Sequence, residues 1–319
     1  MRRRTALFWA VALVVTSVFG YLAVRNAHPD EVWSALQRAN PWWIVPSLAF
    51  TAASVAVRAV RWRYLFGAET RPDLGPVTSA MLVGLALNNL LPFRAGEAAR
   101  ILALGRRAGT SRVEILATVA LERVLDVFCL LLLLLLVLPW LPEVSWIGAA
   151  AAVAVVLAIV LGAAAAVFAI YGDRPFQAFE RAAGRLPFVP VARLEDVGAN
   201  LGRGLAGLRR GKLALLGLAL TTFSWVLLSL AFWLLTPAFD LGLPPVSGVL
   251  VLTAVGFSVI LPAAPGALGV FEAAVVVALR AYDVPTSEAL SYALALHALN
   301  WLPYMIAGAI AVRFTRPPR

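Results

Sequence analysis

Residues that form disulfides or bind transition metals are nearly absent from this chain of 319 residues. It has one cysteine, Cys129, and two histidines, His28 and His297. A single cysteine excludes an intrachain disulfide, and so few ligands exclude a metal cluster of histidines and cysteines. A nucleotide-binding loop of the G-x-x-x-x-G-K-[ST] type is also missing. We therefore expect no metal, no cofactor and no direct use of ATP.

Charged residues are scarce as well. They make up 14% of the chain, whereas a soluble protein has about 25%. Hydrophobic residues make up 61%, and apolar stretches of about 20 residues recur, each long enough to cross a hydrocarbon layer about 30 Å thick. The composition excludes a single water-soluble core and predicts an all-α polytopic membrane protein.

Among the charges that remain, basic residues outnumber acidic ones. The 27 Lys and Arg against 17 Asp and Glu give a net charge of +10. In a membrane protein this excess is typical of arginines that face anionic lipid heads. We expect membrane lipids as partners, no nucleic acid, and allow a homo-oligomer.

Six apolar stretches predict membrane crossings: 6–24, 42–60, about 113–139, 146–171, 213–237 and 288–312. The first has no small-x-small cleavage site after it, so we interpret it as a retained span. The stretches 77–91 and 248–261 are too short, at about 22 and 21 Å of helix. We predict that each turns at a proline, Pro92 or Pro262, and returns through 96–105 or 266–281.

The positive charges favour these two re-entrant hairpins over full crossings. With them, 23 of the 27 Lys and Arg fall on the cytoplasmic side, where positive residues accumulate. Both termini then lie on the cytoplasmic side of a plasma or inner membrane, and 172–212 forms a surface linker. A full crossing at 77–91 would leave the arginines of 94–112 outside.

The two hairpins are similar in sequence. The first is NNLLPFRAGEAAR from Asn88, and the second is VILPAAPGALGVFEAA from Val259. Each has P-x-x-x-G followed by an acid, Glu97 or Glu272. The repeats 77–139 and 248–312 would insert in opposite senses, as in alternating-access transporters. The alternative is that proline and glycine only kink ordinary spans.

A charged trio interrupts the span that follows the first hairpin. From Val113, Glu122 lies about 13 Å and Asp126 about 20 Å along the helix. Arg123 and Asp126 are three residues apart and can pair. A charge at the membrane centre costs on the order of 3 kcal/mol, so such residues line interior pathways. The alternative is an interfacial turn.

The tip of the first hairpin offers a candidate phosphate site. A helix that starts near Gly96 would direct free N–H groups into the membrane, and Arg94 would add a bidentate contact. Glu97 and Arg100 follow at helical spacing. Asn88 and Asn89 either cap the broken helix or contact substrate. By contrast, Arg58, Arg61, Trp62 and Arg63 are predicted to be an interfacial anchor.

The second hairpin has no arginine near its tip. Small residues around Gly266 and Gly269 permit close approach of either a ligand or another helix. His297 and Asn300 interrupt the next span, where His297 is either a packed residue or a proton carrier.

These stretches, with ALERVLD between them, resemble the lysylphosphatidylglycerol synthase transmembrane, or flippase-like, family. The resemblance covers nearly the whole chain and implies transfer of lipids between leaflets. It does not imply synthase activity, since the sequence ends at Arg319. His297 stands where the family often has arginine. The motif positions matched are Asn89, Pro92, Arg94, Gly96, Glu97, Glu122, Arg123, Asp126, Pro262, Gly266, Gly269 and Glu272.

We therefore expect a lipid translocase with a polar cavity for an anionic or zwitterionic head group. The rival in another class is a membrane glycosyl- or acyltransferase acting on a lipid. A structural membrane protein is the third reading, but it needs no charges at mid-depth.

Overall fold

The computed structural model describes residues 2–91, 94–108, 110–171, 211–258 and 263–314. Every regular element within these ranges is helical, as predicted. The predicted turn residues Pro92 and Pro262 and nearly all of the predicted 172–212 linker lie outside the described residues.

Eleven α-helices occur in these ranges, joined by short turns of 3-10 helix. They are α1 Arg2–Val24, α2 Pro29–Arg38, α3 Ile44–Leu65, α4 Leu74–Leu90, α5 Gly96–Ala108, α6 Arg112–Val137, α7 Ser145–Tyr171, α8 Gly211–Leu234, α9 Val246–Ser258, α10 Val270–Arg280 and α11 Thr286–Val312.

Four segments among the described residues are long and apolar enough to cross a membrane: Pro41–Leu65, Ser145–Ala163, Lys212–Phe239 and Thr286–Val312. A fifth is possible if α1 and α2, bent by 77°, form one span. Helix α6 has 26 residues, but its three central charges keep it out of that set. The chain is thus a multi-pass helical membrane protein, and six crossings remain a prediction.

Helix α2 was not predicted from hydropathy, because it is amphipathic and lies across the end of the bundle. Pro29 at its start, Asp30 and Glu31 in its first turn and Arg38 in its last turn suit the helix dipole. It docks on α11, where Ser287 Oγ accepts the N–H of His28 at 3.0 Å.

Helices α4 and α5 form an antiparallel hairpin. A Cβ atom placed on Gly84 would lie 3.0 Å from the Cβ of Arg100, and one on Gly96 would lie 2.6 Å from the Asn88 N atom. The Gly96 position also abuts the carbonyl oxygen of Gly84. Only glycine leaves room for two helix backbones at this distance.

The second short segment is organised differently at its tip. The predicted return arm began at 266, but α10 begins at Val270, after a 3-10 turn at Pro265–Ala267. Gly266 and Gly269 have φ angles of 74° and 78°. These positive angles interrupt the helical backbone between the 3-10 turn and the start of α10. This correction moves the helix start by four residues.

The tip Pro265–Ala267 lies between the two halves of the chain. A Cβ atom on Gly266 would lie 3.5 Å from both the carbonyl oxygen of Asn89 and the Nε1 of Trp301. Gly269 packs against α1, since its Cβ atom would lie 2.8 Å from the Thr16 carbonyl oxygen. Of the two alternatives for these glycines, a ligand or another helix, the described contacts are with other helices.

Helices α3 and α8 join the two halves along an antiparallel seam. Ser47 Oγ donates to the Ala231 carbonyl and Ser54 Oγ to the Ser224 carbonyl, both at 2.8 Å. Because both hydroxyls donate hydrogen bonds to backbone carbonyl oxygens of the facing helix, the two apolar helices can approach closely. The seam continues toward Arg61.

Candidate functional site

Arg61 is the centre of a buried charge network. Its side chain is fully buried, with Nη2 2.8 Å from Glu122 Oε1 and Nη1 2.6 Å from Asp126 Oδ1. Nη1 also donates to Thr221 Oγ1 at 3.1 Å. The interfacial-anchor interpretation is wrong for Arg61, because it turns toward α6 and α8 and neutralises two carboxylates there.

Arg100 of α5 joins the same network from the first hairpin. It pairs with Glu122, and its Nε lies 2.9 Å from Glu97 Oε2. The guanidinium carbon stands 4.4 Å over the ring of Trp62, whose Nε1 donates to Thr118 Oγ1 at 3.1 Å. Trp62 is therefore a buried residue whose ring packs against the guanidinium of Arg100, and it does not lie at the membrane surface.

Arg123 lies between Glu97 of α5 and Asp126 of α6 and contacts both. The predicted pair with Asp126 forms at 3.3 Å, and the same Nη2 lies 3.8 Å from Glu97 Oε1. Trp225 Nε1 donates to Asp126 Oδ1 at 3.1 Å. Glu122 and Asp126 are buried, so the described contacts place them in the protein interior and not on an exposed turn.

Two arginines beside the network are incompletely neutralised. Arg58 has no ion pair among the described residues and stands 5.6 Å over the ring of Trp225, with its Nε buried and without a hydrogen bond. Arg94 is 46% exposed and lies 4.0 Å from Glu97. Its φ of 53° is unfavourable for a residue with a Cβ atom.

The network and the two arginines beside it together have an excess of positive charge. Arg61, Arg100 and Arg123 pair with Glu97, Glu122 and Asp126, and Arg58 and Arg94 add two further positive charges. With all groups ionised the net charge is +2. Such an excess in a protein interior favours an anionic ligand.

Asn88 and Asn89 leave polar atoms unsatisfied near the tip of the first hairpin. Asn88 Oδ1 and Asn89 Nδ2 are buried without hydrogen bonds. They do not cap α4, whose last turn is closed by the Leu91 N–H bonded to the Leu87 carbonyl at 2.8 Å. The described contacts therefore show no capping role for these two residues. A contact with substrate remains a prediction.

The second half has a smaller polar centre. His297 Nδ1 lies 2.6 Å from Glu272 Oε1, and the N–H of Gly269 donates to Glu272 Oε2 at 2.7 Å. The ring of Phe271 stacks on His297 at 4.3 Å. Asn300 stays apart, since its Nδ2 donates to the Leu296 carbonyl of its own helix.

Sequence reasoning missed Arg58 and Arg61 as members of the network. A signal was present, because Ser47, Thr51, Ser54, Arg58 and Arg61 recur at intervals of three and four and lie on one face of α3. A polar stripe on an otherwise apolar helix predicts a face turned toward protein. Within the described residues, no group of three His, Cys, Asp or Glu that could hold a metal ion occurs.

These features define a polytopic helical membrane protein with a buried, net-positive polar centre. The family model for the lysylphosphatidylglycerol synthase TM region matches residues 9–308, and the chain belongs to that family. It is similar to a UPF0104 membrane protein of Methanothermobacter thermautotrophicus, with 26% identity over 291 residues that cover 84% of each chain.

Proposed function

We propose that this protein is a lipid translocase that moves a phospholipid or another lipid-linked anionic or zwitterionic head group between leaflets. The observation that carries the proposal is the buried network around Arg61, with the two incompletely neutralised arginines Arg58 and Arg94 beside it. A membrane protein that only packed against partners would not need Arg61 and Arg100 buried in its interior.

The proposed topology has six crossings and two re-entrant hairpins inserted in opposite senses. Both termini lie on the cytoplasmic side of a plasma or inner membrane. Its support is geometric. The antiparallel helices α4 and α5 form one short hairpin, the short helices α9 and α10 are separated by a segment with Gly266 and Gly269, and this second tip contacts Asn89 at the end of α4. Broken helices that meet inside the bundle are how such transporters form a site.

The head-group phosphate would bind between Arg58, Arg94 and Arg123. Arg58 and Arg94 have the least complete neutralisation, and α5 begins at Gly96, two residues after Arg94. Arginine forks and a helix N-terminus both favour a phosphate. Acyl tails would remain in the bilayer.

The rival proposal is an intramembrane glycosyl- or acyltransferase. A general base needs a carboxylate free to take a proton, but Glu122 and Asp126 each contact arginine. Protonation of either would remove one of the two carboxylates that neutralise the fully buried guanidinium of Arg61. This arrangement favours holding an anion over acid–base chemistry.

Reconstitution tests both proposals together. Vesicles that contain the protein and a fluorescent phosphatidylglycerol, or a fluorescent diacylglycerol without phosphate, would be scored for leaflet exchange and for chemical turnover. We expect phosphate-dependent exchange and unaltered lipid. Turnover without exchange would replace the translocase with the transferase.

The phosphate site makes Arg94→Lys a non-conservative change. Lysine keeps the charge but loses the bidentate fork, so we expect weaker phospholipid binding by about 1–2 kcal/mol and a larger loss for Arg94→Ala. Binding of fluorescent phosphatidylglycerol to folded protein in micelles measures this. Arg107→Lys, exposed on the same helix α5, is the matched control. Equal affinity for all four proteins would remove Arg94 from the site.

The opposed orientation of the hairpins has a direct labelling test. Ser111 precedes α6 and Glu288 lies in the first turn of α11, and both are exposed. In a Cys129→Ala background, cysteines at these positions should react with an impermeant maleimide from opposite sides of the membrane. Labelling from the same side would reject the inverted repeat.

A further inference from the structure

The buried carboxylates of the two polar centres have two kinds of partner. Glu122 and Asp126 contact arginines, which stay protonated at any physiological pH. Glu272 contacts His297, and histidine is a side chain that can take up and release a proton. A proton that binds and leaves during a transport cycle needs the second kind of partner, so Glu122 and Asp126 are poor proton carriers.

We propose that the Glu272–His297 pair is a proton-binding site and that its loading couples a pH difference across the membrane to lipid movement. This inference rests on the proposed translocase function. The ionised carboxylate accepts from His297 Nδ1 and from the Gly269 N–H, which leaves Nε2 of the ring to take a proton from water. The side chain of His297 is 11% exposed, so the pair is not sealed.

Proton uptake changes the net charge of this pair from −1 to 0. Two of the helices packed against the pair, α4 and α9, have no charged residue. On α10, Arg280 lies about 12 Å beyond Glu272, and on α11, Glu288 lies about 14 Å before His297. Helix α2 packs against the first part of α11, where Ser291, about 9 Å before His297, donates to the Val32 carbonyl, and its charged residues are Asp30, Glu31 and Arg38. The other titratable residues of the elements packed around the pair are Tyr292 and Tyr304 on α11 and Tyr21, Arg2, Arg3 and Arg4 on α1.

Tyr292 donates its hydroxyl to the Phe232 carbonyl, and Tyr304 lies about two turns beyond His297. The three arginines at the start of α1 lie about 18 Å or more before Thr16, the α1 residue that contacts the tip. An empty pair is therefore a lone negative charge in an apolar setting, which resists relocation. A loaded pair is neutral and can move.

The pair is joined to the element that would move. Glu272 Oε2 holds the N–H of Gly269, the residue immediately before α10. Three residues earlier, Gly266 lies against Asn89 at the end of the first hairpin. A change of charge on Glu272–His297 therefore acts on the turn through which the two hairpins touch.

The chain contains only two histidines, which makes the proton site directly observable. In full-length protein labelled with ¹⁵N-histidine, His28→Gln removes one set of ring signals and assigns the other to His297. We expect the His297 ring to change from one proton to two as the pH is lowered. Glu272→Gln should change the pH at which this occurs. A ring that keeps one protonation state throughout, or ignores Glu272→Gln, overturns the proton site.

Coupling is tested separately with fluorescent phosphatidylglycerol in protein-containing vesicles, with a pH difference of either sign. We expect exchange to accelerate at least about fivefold under one sign of gradient. The ratio of rates with and without the gradient should fall to about one for His297→Gln, whose amide can still bond to Glu272, and stay unchanged for His28→Gln.

Exchange that ignores the gradient in the wild type, or a His297→Gln ratio equal to that of the wild type, overturns the coupling. Absence of any exchange in the wild type rejects the translocase function, and the coupling with it. The histidine titration then still decides whether the pair binds a proton.

Discussion

Replacement of Arg61 by methionine is expected to lower the free energy of unfolding by about 3–5 kcal/mol, the cost of removing one partner from a buried ion pair. Glu122 keeps Arg100 and Asp126 keeps Arg123, but each loses its contact with the fully buried guanidinium of Arg61. Unfolding by SDS in mixed micelles, followed by the fluorescence of the chain's 10 tryptophans, measures the loss.

A second variant shows whether the loss comes from charge. Adding Asp126→Asn to Arg61→Met removes one stranded carboxylate, so we expect part of the stability to return, as a coupling between the two sites. Arg63→Met is the control on the same helix, since Arg63 donates to the Pro72 carbonyl at 3.0 Å and stands 5.9 Å over the ring of Tyr64, away from the buried carboxylates. Equal stability of the Arg61 and Arg63 variants would contradict the central role of Arg61.

Gly96→Ala is expected to open the α4–α5 hairpin. A Cβ atom at position 96 would overlap the carbonyl oxygen of Gly84 and approach the Asn88 backbone, and neither group can turn away as a side chain would. Such overpacking costs about 1–3 kcal/mol or more. Because α5 holds Arg100 over Trp62 and against Glu122, we expect lipid exchange to fall at least tenfold even in protein that still folds.

Two glycines on other helical surfaces provide controls. Gly75 in the first turn of α4 and Gly148 in α7 have no atom within 4 Å of the position that an alanine methyl group would occupy, so alanine fits there. Alanine in a helix is favoured over glycine by up to about 1 kcal/mol. We expect both control variants to be as stable as the wild type or slightly more stable. A Gly96→Ala variant that behaves like them would show that the hairpin tolerates a wider spacing.

The local features of the fold could be predicted from the sequence because they depend on neighbours along one helix. Helix α4 spans 74–90, where the sequence predicted a short segment at 77–91, and the Arg123–Asp126 pair forms at the predicted three-residue spacing. The start of α10 was misplaced by four residues. Gly266 and Gly269 have positive φ angles and delay that helix, and both glycines lie against other parts of the chain, Gly266 at Asn89 of α4 and Gly269 at Thr16 of α1.

By itself, the sequence determined the membrane class, the helical composition and the presence of charges within one span, since hydropathy and spacing are properties of short segments. The tertiary structure decided which charges are partners. Arg61 and Glu122 are 61 residues apart, and the Gly266 turn meets Asn89 from the other half of the chain. An arginine near the end of an apolar helix suits an interfacial anchor and a buried ion pair equally well. Only the packing of α3 against α6 and α8 turns that face of the helix inward and makes Arg61 the counter-ion of Glu122 and Asp126.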